Sequence, residues 1–425
     1  MDEREELELT GLHQEQEMEI ARLREEIARL TVERETICTK WLDSSVNSKG
    51  TSRDLRENIM DMEESSLHEM MDFYFYHYLE DVPVEFEEEK EVPFDEPVFL
   101  DWFLPEMLSP SVVMDVLSLV DEESFALFQR ALTEKQEITY TPFQGLTVLV
   151  ESGFLFLVEE EGTYFIFATE DVRKAVGEVD LKALAVKQKK NQELFQFTQS
   201  AVHLYGGISF EDLFQIQQDY NLNLAKSPES LETTLEKMVV NGEAFSLILR
   251  DYVSHGLFEE FPEDVLPLME GQKGKPRYVP ESVSQFLEEG TEDFFHSTPE
   301  SGALMDYVES YQQDETALDN LMVMLELGCL HNDDMNSLYG YLEEFDALPV
   351  GKKAQSTLFD MLIEMEYHSR KWVHNGLSAF ALDNYHGFSL GKKQTLQRFM
   401  VAEGPSKNGP CPCGSGKKYK RCCGK

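Results

Sequence analysis

Four cysteines fall within thirteen residues near the C-terminus, in the stretch "CPCGSGKKYKRCC" from Cys411 to Cys423. Their C-x-C-x8-C-C spacing limits what this segment can fold into more tightly than any other local pattern in the chain. Alternate residues of an extended strand point to one side, so Cys411 and Cys413 converge. Pro412 between them stiffens the backbone and removes a competing donor. Gly414 and Gly416 permit the tight turn that reverses the chain, and such turns aim backbone N–H groups at thiolate sulfur. Cys422 and Cys423 then supply the second pair from a helical turn or kink. Four thiolates at about 2.3 Å close a tetrahedral sphere and leave no open position for a substrate. Zinc is the default ion for such a set, and iron also suits it. The alternative, a disulfide between the neighbours Cys422 and Cys423, would be strained.

The tail is also the basic part of an acidic protein. Residues 404–425 hold six Lys or Arg and no acid, while the whole chain carries a formal charge of −44, which leaves about −50 on the remainder. Lys417, Lys418, Lys420 and Arg421 offset the −2 charge of a dication held by four thiolates. They also lower the thiol pKa values and so favour binding at neutral pH. A segment this short has no adequate core, so metal binding supplies most of its folding free energy. The acidic remainder repels phosphate backbones, and only the tail has the sign for nucleic acid.

"GPCPCGSGKKYKRCCGK" resembles the SEC-C motif found at the C-terminus of the SecA preprotein-translocase ATPase and in YecA-type proteins. The resemblance implies a structural metal module held by Cys411, Cys413, Cys422 and Cys423. In SecA-like settings such modules contact a chaperone partner, ribosomes or acidic lipid. The chain contains no G-x-x-x-x-G-K-[ST], so the motor does not follow from the tail. A looser resemblance lies in "YHSRKWVHNGLSAFAL" (367–382), which is similar to a segment of Gram-positive SEC-C proteins. Arg370, Trp372, Gly376, Ser378 and Leu382 fit that pattern, while His368, Ser369, Ala379 and Ala381 depart from it. "VHLYGGISFEDL" (202–213) resembles the same family's middle region.

Composition sets the frame for the rest. With 42% apolar and 28% charged residues, the 425-residue chain is expected to form ordinary globular cores. The N-terminus is too acidic and polar for a signal peptide, and no apolar run is long enough to span a bilayer, so a cytoplasmic protein is expected. The expected fold is mainly α, an irregular multi-helical body with a small winged-helix-like α+β module, a coiled-coil-like N-terminal helix and a metal-held C-terminal knuckle. Residues 1–45 contain the coiled-coil-like helix, with Ile20, Leu23, Ile27, Leu30 and Ile37 at alternating steps of three and four. Weak self-association follows from so short a seam, and a single helix lying on the body fits equally. Residues 46–110 read as an acidic linker and packing segment, with "DSSVNSKGTSRD" (43–54) a connector by composition. Residues 111–177 read as the winged-helix-like module, its hairpin formed by "FLFLV" and "TYFIFA". Residues 178–400 are the helical body, and 401–425 the metal-binding motif.

The wing and recognition segment of the 111–177 module carry almost no positive charge, which disfavours DNA binding. His331, Asp333 and Asp334 in "CLHNDDMN" read as helix capping rather than metal ligation. Arg370 is expected to pair with an acid and Trp372 to pack in the core rather than frame an anion site. Cys38 and Cys329 lie on apolar helical faces and read as ordinary buried or half-buried cysteines. The function expected is a non-enzymatic adaptor whose tail presents Lys417, Lys418, Tyr419, Lys420 and Arg421 to a ribosome, RNA or an acidic protein. A winged-helix DNA regulator and an uncharacterised metal-dependent hydrolase are the alternatives.

Overall fold

The computed structural model describes residues 38–79, 97–138, 144–239, 245–249, 251–259, 261–291 and 296–385. The coiled-coil seam of residues 16–37, the acidic connector at 80–96 and the cysteine-rich tail lie outside the described residues. The chain divides into two compact units, Met1–Glu193 and Leu194–Lys425. No described helix is long and apolar enough to cross a membrane.

The first unit holds α1 (Leu55–Met60), α2 (Glu64–His77), α3 (Pro97–Met107), α4 (Pro110–Ser118), α5 (Glu122–Ala131), β1 (Gln136–Ile138), α6 (Gln144–Glu151), β2 (Phe156–Glu160), β3 (Thr163–Phe167) and α7 (Glu170–Gly177). The expected hairpin is present: β2 and β3 pair antiparallel from Phe156↔Phe167 to Glu160↔Thr163. Its two-residue turn places Glu161 and Gly162 at positive φ, the conformation a right-twisted hairpin favours. β1 adds to β3, giving a sheet of order β1-β3-β2. The break expected at "DEES" is a helix cap. Asp121 Oδ1 accepts from the Ser124 N–H at 2.8 Å, and Oδ2 accepts from Gly145 N–H at 3.0 Å, tying α5 to α6.

Composition marks 43–54 as a connector, but two of its residues are structural. Asn47 and Ser48 are buried. The Asn47 amide donates to the carbonyls of Val150 and Leu155 and accepts from Leu157 N–H, closing the open edge of β2. Burying these backbone groups unpaired would cost about 1–3 kcal/mol each. The aromatic run between prolines becomes α3, which buries Phe99, Leu100, Phe103 and Met107, with Phe103 edge-on to Tyr74 at 5.2 Å.

α8 (Leu181–Tyr205) follows, and the boundary between the units falls within it. The second unit continues with β4 (Gly207–Ser209), α9 (Phe210–Asp219), α10 (Pro228–Val239), β5 (Phe245–Leu249), β6 (Tyr252–His255), α11 (Val265–Gln272), α12 (Val283–Glu289), α13 (Pro299–Glu309), α14 (Glu315–His331), α15 (Met335–Glu344), α16 (Lys352–His368) and α17 (Ala379–Asn384). The body therefore differs from a helical one with a single hairpin. It contains a second antiparallel sheet of order β4-β6-β5. β4 and β6 are only three and four residues long, so no alternation announces them.

α13 to α16 surround one core of Leu304, Val308, Leu321, Leu325, Cys329, Leu338, Leu342, Leu358, Leu362 and Met365. These recur at steps of three and four within each helix, so each contributes one apolar stripe. "NDD" punctuates α14 and α15 as the sequence suggests. Asn332 closes α14 in the left-handed region, and Asp334 accepts from the Asn336 and Ser337 N–H groups to open α15. Asp333 accepts from the Tyr341 hydroxyl at 2.7 Å.

Candidate functional site

Two candidate regions need separate treatment. The cysteine set of the tail (Cys411, Cys413, Cys422 and Cys423) and its basic neighbours (Lys417, Lys418, Tyr419, Lys420 and Arg421) lie outside the described residues. Among the described residues no group of three His, Cys, Asp or Glu side chains could hold a metal ion. Cys38 and Cys329, the remaining cysteines, are both buried, and burial pushes the Cys329 thiol up to about 11. The donor set for a thiolate-held ion is thus confined to the tail, where four soft ligands of the right number and spacing occur together.

The second region is the loop joining α16 to α17, "SRKWVHNGLS" from Ser369 to Ser378. Trp372 is 4% exposed, and its indole N–H donates to the His203 carbonyl at 2.7 Å. The ring packs against His331 at 4.6 Å and His255 at 5.2 Å between centroids. Gly206 has φ +73°, and a Cβ there would stand about 2.5 Å from the indole, so only glycine lets α8 end against Trp372. Gln272 at the end of α11 donates to the carbonyls of both Tyr205 and Trp372. Asn375, in the left-handed region, donates to the carbonyls of Gln272 and Lys275. The two stretches that carry the looser family resemblance, 202–213 and 367–382, therefore meet at Trp372.

The charged residues of the loop are paired. Arg370 Nη1 lies 2.7 Å from Glu289 Oε2, with the guanidinium 4.0 Å over the Tyr278 ring. Burial opposes the charge on Glu289, yet hydrogen bonds from Gln285, Arg370 and Tyr278 hold its carboxyl below the usual range. Lys371 is 1% exposed and lies 2.9 Å from Glu366 Oε1. Arg370 and Trp372 thus take the structural roles expected of them, an ion pair and a core ring.

A cavity of about 50 Å³ opens beside this loop, lined by His203, Leu204, Glu289, His296, Glu326, Leu330, Ser369 and Arg370. The sequence reading missed it, because its walls come from four separated segments. Burial raises Glu326 to about 7, and its Oε1 has no hydrogen-bond partner among the described residues. A carboxyl raised in the folded state stabilises below the unfolded value near 4.5 and loses that contribution as pH rises through about 7. Glu326→Gln should therefore stabilise the second unit at pH 8 by on the order of 1 kcal/mol, allowing for partial exposure, and by much less at pH 5. Urea unfolding at the two pH values checks this. Burial, then His203 and His331, lower His255 to about 4. Its contribution is complete above about 6.5 and is lost as pH falls toward 4.

Residues 408–425 match the SEC-C motif family, and all four cysteines fall inside the match. The chain carries a SEC-C tail. It is similar to the protein translocase subunit SecA of Geotalea uraniireducens, 53% identical over 38 residues, 9% of this chain and 4% of that protein. The SecA of Halothermothrix orenii is 56% identical over 34 residues, again 4% of its length. The chain thus spans only a small fraction of the length of these curated relatives. The SecA of Acetivibrio thermocellus is 26% identical over 226 residues, 46% of this chain and 24% of that protein. No solved structure matches. SEC-C is a metal-binding type of motif, so the tail, rather than the Trp372 loop, is the functional candidate.

Proposed function

We propose that this chain is a non-enzymatic metal-binding adaptor of the cytoplasm. Cys411, Cys413, Cys422 and Cys423 hold one ion, zinc in the first instance and iron in the second. Lys417, Lys418, Tyr419, Lys420 and Arg421 present the contact face to a ribosome, RNA or an acidic protein surface. Residues 401–409 serve as the joint between the body and this knob, and the seam at 16–37 offers weak self-association.

The SEC-C match carries this reading, because a closed thiolate set beside a basic run has structural chemistry and a charged face but no open ligand position. Charge separation supports it: the acidic body leaves the tail as the part suited to a polyanion. The geometry gives no support to a DNA-reading module at 111–177. Glu159 and Glu160 are exposed at the wing, and Lys135 is paired with Glu160 at 2.5 Å. We read that module as a winged-helix-like packing unit.

Elemental analysis of the purified full chain tests the metal half of the proposal. One zinc or iron per chain is expected, and a chain that holds neither after reconstitution under reducing conditions would sink it.

A further inference from the structure

Leu257, Phe261 and Leu266 in the second unit are each more than half exposed, three large apolar side chains close together in the chain. They stand on consecutive turns. Leu257 lies on a short helical turn, Gly256–Glu259, that follows β6. Phe261 opens a second such turn, Pro262–Asp264, and Leu266 is in the first turn of α11. The two short turns contact each other, and the second runs directly into α11.

The backbone under these side chains is held in place. Leu257 N–H donates to His255 Nδ1 at 3.2 Å, and the Phe258 ring packs on Trp372 with centroids 5.7 Å apart. Asp264 N–H donates to the Phe261 carbonyl at 3.1 Å, and Pro262 fixes φ at the start of its turn. Val265 and Met269 anchor α11 in the core. Covering the three apolar side chains therefore costs little backbone freedom.

The surroundings carry one sign. Residues 251–272 hold six Asp or Glu and no Lys or Arg. Glu263 and Asp264, which separate Phe261 from Leu266 in the chain, are exposed. Lys273, the first cation beyond, lies 2.5 Å from a Glu270 carboxylate oxygen. An apolar surface bordered by acids repels anionic lipid and nucleic acid, and two copies of it brought face to face would set like charges together. A polypeptide with Lys or Arg set among large apolar side chains complements it in both polarity and sign.

We infer that this face binds a cationic amphipathic segment of a partner protein, whose apolar side chains cover Leu257, Phe261 and Leu266 and whose cations face Glu263 and Asp264. It lies in the second unit's own fold and uses no residue of the cysteine-rich tail, so it goes beyond the adaptor reading and does not rest on it. The tail suits a polyanion, and this face takes the opposite charge.

Fluorescence anisotropy tests this, with a short labelled peptide of Lys and Leu at amphipathic helical spacing titrated with the full chain at about 0.15 M salt. Saturable binding is expected. The same peptide with every Leu replaced by Ser should bind roughly tenfold more weakly, as should the Leu peptide to Leu257→Ser with Phe261→Ser. Glu263→Lys with Asp264→Lys should cost roughly as much. These side chains are exposed and Asp264 makes no capping hydrogen bond, so the fold is kept. Val350→Ser, at a fully exposed apolar residue elsewhere in the unit, and Cys422→Ser should both bind as the wild type does. No saturable binding would overturn the proposal. Equal affinity of both peptides for wild type and face variants would also overturn it, by reducing the effect to general attraction toward an acidic chain. Binding that appears only after Phe388→Asp with Phe399→Asp would overturn it by assigning the face to the chain's own residues 386–401. Affinity that falls as protein concentration rises would do the same by assigning it to a second copy.

Discussion

Replacing Lys371 by Met should destabilise the second unit by about 3–5 kcal/mol, and adding Glu366→Leu should recover most of that loss. Lys371 is 1% exposed and Glu366 8% exposed, and they face each other at 2.9 Å. Glu366 Oε2 has no partner among the described residues, so removing the ammonium leaves a buried carboxylate with almost nothing to offset its desolvation. The pair itself need not be stabilising relative to two apolar side chains, which is why the double variant recovers. Urea unfolding followed through Trp372, with Trp41 and Trp102 changed to Phe, reads the effect where it occurs. A loss below about 1 kcal/mol for Lys371→Met would mean that the pair behaves as an exposed one.

Replacing Cys422 by Ser should have its whole effect in the tail. Structural zinc sites of this size gain about 10–16 kcal/mol of apparent folding free energy from the ion. Loss of one thiolate ligand should weaken binding by more than the ~100-fold that loss of an outer hydrogen bond costs a metal site. Bound metal is expected to fall from one ion per chain to none at low micromolar free metal. Cys38→Ser, a change at a buried helical residue, should leave the metal content unchanged. The urea midpoints of the two units should stay where they are in Cys422→Ser, because both have cores of their own. If Cys422→Ser retains its metal, the four-thiolate assignment is wrong.

Local patterns in this chain were legible and long-range ones were not. The hairpin of β2 and β3 could be read because its alternation and its Glu-Gly turn lie within a dozen residues. The caps at Asp121 and Asp334 could be read because a cap bonds N–H groups two or three residues on. The β4-β6-β5 sheet escaped because strands of three to five residues show too little alternation to announce a period, and its pairing joins Gly207 to Ser254. Asn47 escaped for a related reason: a polar residue among Ser, Gly and Lys reads as solvent-exposed, and its partners lie more than a hundred positions away. The pairing of Arg370 and the burial of Trp372 were legible as types of interaction. Their partners, Glu289 and the His203 carbonyl, were not, since the indole hydrogen bond spans 169 positions. The SEC-C tail was the most legible feature of all, because its four cysteines sit within thirteen residues and the family match covers the same stretch.

The most direct measurement of the central claim is co-sedimentation of the purified, metal-loaded full chain with ribosomes across a salt series, beside Cys422→Ser and Lys417→Glu with Lys418→Glu. The adaptor account predicts salt-sensitive binding by the wild-type chain, with at least roughly tenfold loss in both variants. Wild-type affinity in both variants would contradict it and reduce the SEC-C tail to a stabilising cap.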